Sequence, residues 1–256
     1  MIKLERQDGV AVVRMEHGKV NALDLELCEE LTERFRDLAQ GEADAVVLTG
    51  VGTVFSAGVD LLRMLDGGAP YVQRYLVVFH HFCRTLFTFP RPLVAAINGH
   101  AIAGGCVVAC AADRRIMARG SGRVGIPELR VGVPFPAAPL EILRFAVPAR
   151  HFQQLLYSGA TVETDEAVEC GLVEEVVEPD DLMGRALEAA RGLAAMGQEN
   201  FALTKQQIRA PVLERMERGQ QDTHATVERI WGSDATLAAI RDYVSRTFKP
   251  SQSEKS

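Results

Sequence analysis

The segment "PLVAAINGHAIAGGCVVACAAD", Pro92 to Asp113, decides the fold. Leu93 to Ile97 is an unbroken apolar run of strand length, the mark of a strand covered on both faces. Asn98-Gly99 breaks it, Gly104-Gly105 breaks the chain again, and the residues then continue as an apolar helix to Ala112. A strand that turns through glycines into a helix offers the helix's unpaired first N–H groups and its partial positive charge to whatever lies in front. The same plan occurs upstream, where "ADAVVLTG" is followed by "VGTVFSAGVDLLRM", Val51 to Met64, turning at Gly52, Ser56 and Gly58 before becoming helical. Two such turns are able to supply a two-donor oxyanion hole. Either turn alone reads equally well as tight packing of a helix on a strand.

Outward from these turns, strand and helix alternate, the pattern of an α/β protein with crossover helices. "IKLERQDGVAVVRME" holds two extended segments around Asp8-Gly9, a hairpin signal. Leu23, Leu27, Leu31, Phe35 and Leu38 follow at helical spacing. A helix spans about 71–89 and ends at Pro90 and Pro92. "RRIMA" reads as a strand and "GRVGIPELRVG" as extended and turn-rich. Beyond about Ala137 the segments 137–147, 150–157, 163–170, 180–196, 200–217, 219–231 and 233–247 read as helices, with "LVEEVV" as a strand among them. The expected organisation is a core over 1–196 and a helical region over 197–256.

The totals exclude several classes. Across 256 residues the formal net charge is -6, against a nucleic-acid binder. The five cysteines, Cys28, Cys83, Cys106, Cys110 and Cys170, are scattered, with no metal spacing, and read as reduced thiols in a cytoplasmic protein. No apolar run reaches membrane-span length. The N-terminus is already strand-like and acidic, unlike a signal peptide.

"GTVFSAGVDL", "NGHAIAGGCVVACAAD" and "VGIPELRVGV", flanked by "GKVNALDLELCEEL" and "SGATVETDEAVECGLVEEVV", together resemble the successive signatures of the crotonase superfamily, the enoyl-CoA hydratase/isomerase family. The resemblance implies a spiral of ββα units with a helical C-terminal region that builds a homo-trimer or a hexamer. It implies an acyl-CoA substrate and no separate cofactor or metal. The oxyanion donors would be the backbone N–H groups of Val59 and Gly104. Ser56, Ala57, Gly58, Asp60 and Leu61 would border the CoA, with Gly105 and Val107 beside the acyl group.

Hydratases of the family use two glutamates. Here the first position is Val107, in "GGCVVAC", and the second is Glu128, in "GIPELRVG". Adding water needs one group to activate it and another to manage the α-carbon proton, whereas moving a double bond needs a single base. With the proline-rich "GVPFPAAP", the pattern looks most like monofunctional 3-enoyl-CoA to trans-2-enoyl-CoA isomerases, acting in β-oxidation. Another crotonase reaction, such as hydration or CoA-thioester hydrolysis, and a non-catalytic acyl-CoA binder are the rival readings.

Other residues read as less central. Glu141 falls on a predicted helix and reads as a surface acid, although it is placed to assist. His100 lies in the second glycine turn. His80-His81 reads as a solvated helix face. Asp60 and Asp113 read as structural. Arg114, Arg115, Arg119 and Arg123 form a basic run suited to CoA phosphates but more simply a surface. Lys205 would lie near CoA only by resemblance. The acyl pocket is expected from residues 62–80 and 133–145 and from the C-terminal helices. Ile230, Trp231, Leu237, Ile240 and Tyr243 are expected to bury against a neighbour or the core.

Overall fold

The computed structural model describes residues 1–247. Strands β1 (Ile2–Gln7) and β2 (Val10–Met15) form the expected hairpin, with Gln7 opposite Val10. Asp8 and Gly9 have φ of 46° and 78°, the left-handed pair that a two-residue turn needs. A short β3 (Ala22–Leu23) leads into α1 (Leu25–Gln40), which Asp24 caps by accepting from Leu27 N–H at 2.8 Å.

Three turns of a spiral follow, and each repeats one plan. The first runs β4 (Ala45–Thr49), β5 (Val54–Ser56), the two-residue β6 (Gly58–Val59) and α2 (Leu61–Phe87). The second runs β7 (Leu93–Ile97), β8 (His100–Ile102) and α3 (Gly104–Ala111). The third runs β9 (Arg114–Ala118), β10 (Val124–Gly125) and α4 (Glu128–Val131). In each, the first strand joins one sheet and the second strand joins another. After α5 (Ala137–Ala146) and α6 (Ala149–Ser158), β11 (Thr161–Val162), α7 (Thr164–Glu169) and β12 (Glu175–Val177) complete the two sheets. Their orders are β1-β2-β4-β7-β9-β12 and β11-β10-β8-β5, parallel except at the β1 and β11 edges. Every residue of β4 and β7 is buried, as their apolar runs require. One face of the large sheet meets the main core. The other packs Val12, Val47, Val94 and Ile116 on α8 (Leu182–Ala194).

The helices depart from expectation at glycines. The helix expected over 71–89 begins ten residues earlier as part of α2, which bends at Gly68 (φ 57°) just before Pro70. The two helices expected over 200–217 and 219–231 are one, α9 (Gln198–Trp231). Gly219 is not a break: a Cβ there would meet Ala137 Cβ at 3.0 Å, so glycine lets α9 approach α5. α10 (Asp234–Thr247) then folds back. Trp231 and Ile240 are buried in the same core as α1, α2 and α3, and Leu237 and Tyr243 pack against it.

Asp113 fastens α9 to the spiral. Its carboxylate accepts from Leu93 N–H (2.8 Å), from Lys205 Nζ (2.7 Å) and from Arg209 Nη2 (2.8 Å). Both cations are at most 5% exposed. Arg209 also donates to the carbonyls of Phe87 and Ala111 at the ends of α2 and α3. Asp113 is thus structural, as expected, and Lys205 is spent on it rather than turned toward a ligand. Burial pulls the Lys205 pKa down to about 8 although Asp113 opposes this. Asp113→Ala leaves two buried cations without their carboxylate and is expected to cost about 3–5 kcal/mol. Urea unfolding measures it, and a loss under 1 kcal/mol would contradict this account.

Candidate active site

The two glycine turns meet. Gly58 has φ 83°, and a Cβ on it would sit 2.9 Å from the Gly104 nitrogen and 2.5 Å from the Ile102 carbonyl oxygen. Only glycine lets the backbone of β6 lie against the first residue of α3 this closely. In β6, Gly58 N–H donates to Ser56 Oγ (3.1 Å) and Asp60 N–H to Leu23 O (3.2 Å). Successive peptide groups of an extended strand point to opposite sides, so Val59 N–H, between them, points away from β3. Gly104 opens α3, where an N–H has no acceptor within the helix. The preceding Ala103 has φ 52° and ψ -122°, a conformation that costs a non-glycine residue about 1–3 kcal/mol and turns the helix entry. Two such donors on abutting loops suit an oxygen that gains negative charge.

In front of them lies a cavity of about 550 Å³, whose wall is overwhelmingly carbon. Val59, Gly104, Val107 and Glu128 all line it, as do Ala57, Asp60 and Leu61. Val107 follows Gly104 by one helical turn and so shares its face. Ser56, Gly58 and Gly105, expected to touch substrate, lie behind this wall. Ser56 is fully buried, its hydroxyl donating to Asn21 O (2.7 Å) while accepting from Gly58 N–H. A Cβ at Gly105 would fall 2.3 Å from the Ser56 carbonyl oxygen. These residues shape the turns rather than the cavity surface. Asp60 lines the mouth and caps α2, accepting from Leu62 and Arg63 N–H at 3.0 Å each.

Glu128 opens α4 after Pro127. It is 8% exposed, and its Oε2 is buried without a hydrogen-bond partner among the described residues. Burial raises its pKa from the usual 4.5 to about 8, only partly offset by a backbone N–H. A carboxyl so tuned is able to hold or accept a proton near neutral pH.

The remaining candidates stand elsewhere. Glu141 is not on the surface: it is buried outside the cavity wall, between Arg144 (2.9 Å) and Arg215 (2.6 Å). His100 Nδ1 accepts from Arg123 N–H at 3.2 Å, also outside the wall. His80 is buried rather than solvated, and burial lowers its pKa to about 4. Arg114, Arg115, Arg119 and Arg123 pair with Glu175, Glu174, Asp165 and Glu163. Cys106 and Cys110 are buried thiols, and the described residues hold no cluster of metal-ligating side chains. No helix among the described residues is long and apolar enough to cross a membrane. Sequence reasoning placed the outer wall by range but missed individual residues. These are Tyr75 and Phe79 on α2, Phe135 and Pro139 around α5, and the exposed Lys19 at the mouth. Lys19 stands in the quoted "GKVNALDLELCEEL" and could have been noticed there as a cation beside the β3 turn.

Known proteins match this arrangement. The family model described as Enoyl-CoA hydratase/isomerase matches residues 5–244. A short-chain-enoyl-CoA hydratase of Clostridium acetobutylicum is 32% identical over 80% of this chain and 79% of its own length. The mitochondrial enoyl-CoA delta isomerase 1 of Mus musculus is 30% identical over 82% of this chain and 73% of its own. The crystal structure of human mitochondrial delta3-delta2-enoyl-CoA isomerase superimposes with a TM-score of 0.91, at 27% identity, over 96% of this chain and 97% of that one. With the abutting glycine turns, the buried carboxyl and a match over nearly its whole length, this chain belongs to the enoyl-CoA hydratase/isomerase family and has its crotonase fold.

Proposed function

We propose that the protein isomerises 3-enoyl-CoA thioesters to trans-2-enoyl-CoA. The observation that carries this reading is that, among the described residues, Glu128 is the single carboxyl buried in the cavity wall, and Val107 on the same wall supplies no second one. The thioester oxygen accepts from the N–H groups of Val59 and Gly104. Ionised Glu128 removes a proton from the carbon next to the thioester, and the charge moves onto that oxygen as a dienolate. The same carboxyl returns the proton two carbons further along, and the double bond ends conjugated with the carbonyl. The proton is carried and not consumed, so one group with a pKa near the working pH serves both steps. Ala57, Asp60 and Leu61 border the CoA portion at the mouth, and Lys19 offers a cation toward its phosphates. Hydration is the rival reading, favoured by the hydratase relative. The apolar wall, which gives a nucleophilic water no second base, weighs against it.

The reaction tests the proposal directly. Given 3-enoyl-CoA and 2-enoyl-CoA of equal length, the protein is expected to isomerise the first much faster than it hydrates the second. Glu128→Gln is expected to slow isomerisation by roughly 100- to 10,000-fold. The wild-type kcat/KM should rise with pH through about 8 as Glu128 ionises. Efficient hydration by the wild type, or an undiminished Glu128→Gln, refutes the assignment.

The same carboxyl sets a stability signature. Its folded pKa of about 8 exceeds the ordinary 4.5, so the folded protein keeps a proton that the unfolded chain releases. Its contribution is intact below pH 4.5 and is lost as the pH rises through 8. Gln at 128 never ionises. Glu128→Gln should therefore gain on the wild type across that window, by about 3–5 kcal/mol at pH 9 relative to pH 4. Calorimetric Tm values across pH measure it, and a pH-independent difference refutes it.

We propose in addition that the chain assembles as a trimer or a dimer of trimers. Trp231 and Ile240 are used by the chain's own core, but Leu203 and Ile208 on α9 are each 56% exposed, apolar surface suited to a subunit contact. Light scattering at micromolar concentration should give a trimer or hexamer mass, and a stable monomer refutes this.

A further inference from the structure

The residues that line the cavity differ in depth. Lys19, Val20, Leu62 and Thr247 are exposed and mark its rim. Leu76, Val107, Val131, Val133, Pro139 and Trp231 are buried and form its inner wall. Contacts put that wall in order. Phe79 stands beside the glycine turns, its ring tip Cζ 3.3 Å from where a Gly104 Cβ would be. Glu128 follows on α4, and its backbone carbonyl accepts from Val133 N–H at 3.0 Å. The carbonyl of the next residue, Pro134, accepts from Trp231 Nε1 at 2.8 Å. Counted from the glycine turns, the indole therefore comes after the carboxyl. The course of α10 agrees. This helix begins three residues after Trp231 and is about 20 Å long. Tyr243 and the exposed Thr247, near its far end, line the cavity too. Trp231 and the rim at Thr247 thus stand at opposite ends of one helix.

Three contacts hold the indole in place. Gln73 Nε2 donates to Glu228 Oε1 at 2.9 Å, which ties the last turn of α9 to α2. A Cβ on Gly232 would lie 3.2 Å from Ala69 Cβ, so the end of α9 is pressed on α2 just past its bend at Gly68. The ring itself is held by Pro134. An indole has one N–H and no acceptor, so that bond occupies its only polar group, and carbon is what it presents to the cavity.

We propose that Trp231 is a specificity-determining residue, the end wall that sets the longest hydrocarbon acyl chain the site accepts with the thioester oxygen at the Val59 and Gly104 N–H groups. This rests on the acyl-CoA reading above. Up to that wall, each added methylene gains by leaving water. A methylene too many must displace a packed ring or draw the thioester off its donors, and a close-packed interior resists the first.

The test uses saturated acyl-CoA thioesters, which bind without reacting. The even-numbered series from four to sixteen carbons is titrated by calorimetry against wild type, Trp231→Leu and Trp231→Phe. Wild-type affinity is expected to rise by roughly fourfold per methylene at first, then to break and fall at least tenfold over the next four carbons. Trp231→Leu should move the break at least two carbons further, binding the longest chains more tightly than wild type and the shortest ones less tightly. Trp231→Phe, which keeps a ring in the core, should move it in the same direction and carries the test if Trp231→Leu does not fold. A residue that only supports the fold would, once replaced, weaken every length alike. The proposal is overturned if wild-type affinity shows no break up to sixteen carbons, or if the break stays at the same length in the folded variants. Where thioesters bind in this way, such a result removes the role of Trp231 alone. Where the break moves as expected but 3-enoyl-CoA is not isomerised, the isomerase reading falls and Trp231 keeps its role. Where no CoA thioester binds at all, the acyl-CoA reading falls and the role of Trp231 falls with it.

Discussion

The contact between Gly58 and the start of α3 is the constraint on which the rest depends. Each glycine turn alone is an ordinary strand-to-helix passage. Pressed together until a Cβ on Gly58 would stand 2.9 Å from the Gly104 nitrogen, they put the N–H groups of Val59 and Gly104 on one wall. The remaining architecture holds that contact in place. β5 and β8 are neighbours in the small sheet, so the two turns leave it side by side. β4 and β7 are neighbours in the large sheet, so the strands feeding those turns are also in register. The Asp113 carboxylate then ties the end of α3 to the buried Arg209 of α9, and α9 and α10 close the cavity with Trp231 and Tyr243.

Against this rigid frame the cavity's polar groups are conspicuous for being few. A carboxyl on an apolar wall is costly as an ion, and the rise of Glu128 to a pKa of about 8 expresses that cost. Ala103 is held in a backbone conformation that an alanine adopts only under constraint. Strain at the α3 entry and desolvation at α4 both fall on the one cavity, while the carboxylates elsewhere in the fold, such as Glu174 and Glu141, are matched with arginines. Locally unfavourable features gathered at one site are what a functional reading expects of it.

Much of this was legible in the chain. The apolar runs of β4 and β7 and the Asp8-Gly9 hairpin followed from local rules, and Glu128 and Val107 came from aligning motifs by resemblance. What was missed involves residues whose type permits two uses. The segments 200–217 and 219–231 read as two helices, and only Ala137 packed across from Gly219 shows why a glycine stands inside one continuous helix. Ser56 reads as a ligand contact or as a turn-forming hydroxyl, and Asn21, distant in sequence, takes its hydrogen bond. Trp231 and Ile240 were legible as buried positions, against a neighbour or the core, and α9 and α10 fold back to settle it as the chain's own core. Tyr75 carries no signal of its own, because a ladder of aromatics at helical spacing reads as core until a cavity is seen beside it.

Val107 and Glu128 belong to the same argument. In the proposed isomerisation, a cavity with a single proton carrier must not admit water that would compete for the dienolate or solvate the carboxyl. Valine at 107, rather than a second acid, keeps the wall beside Glu128 dry.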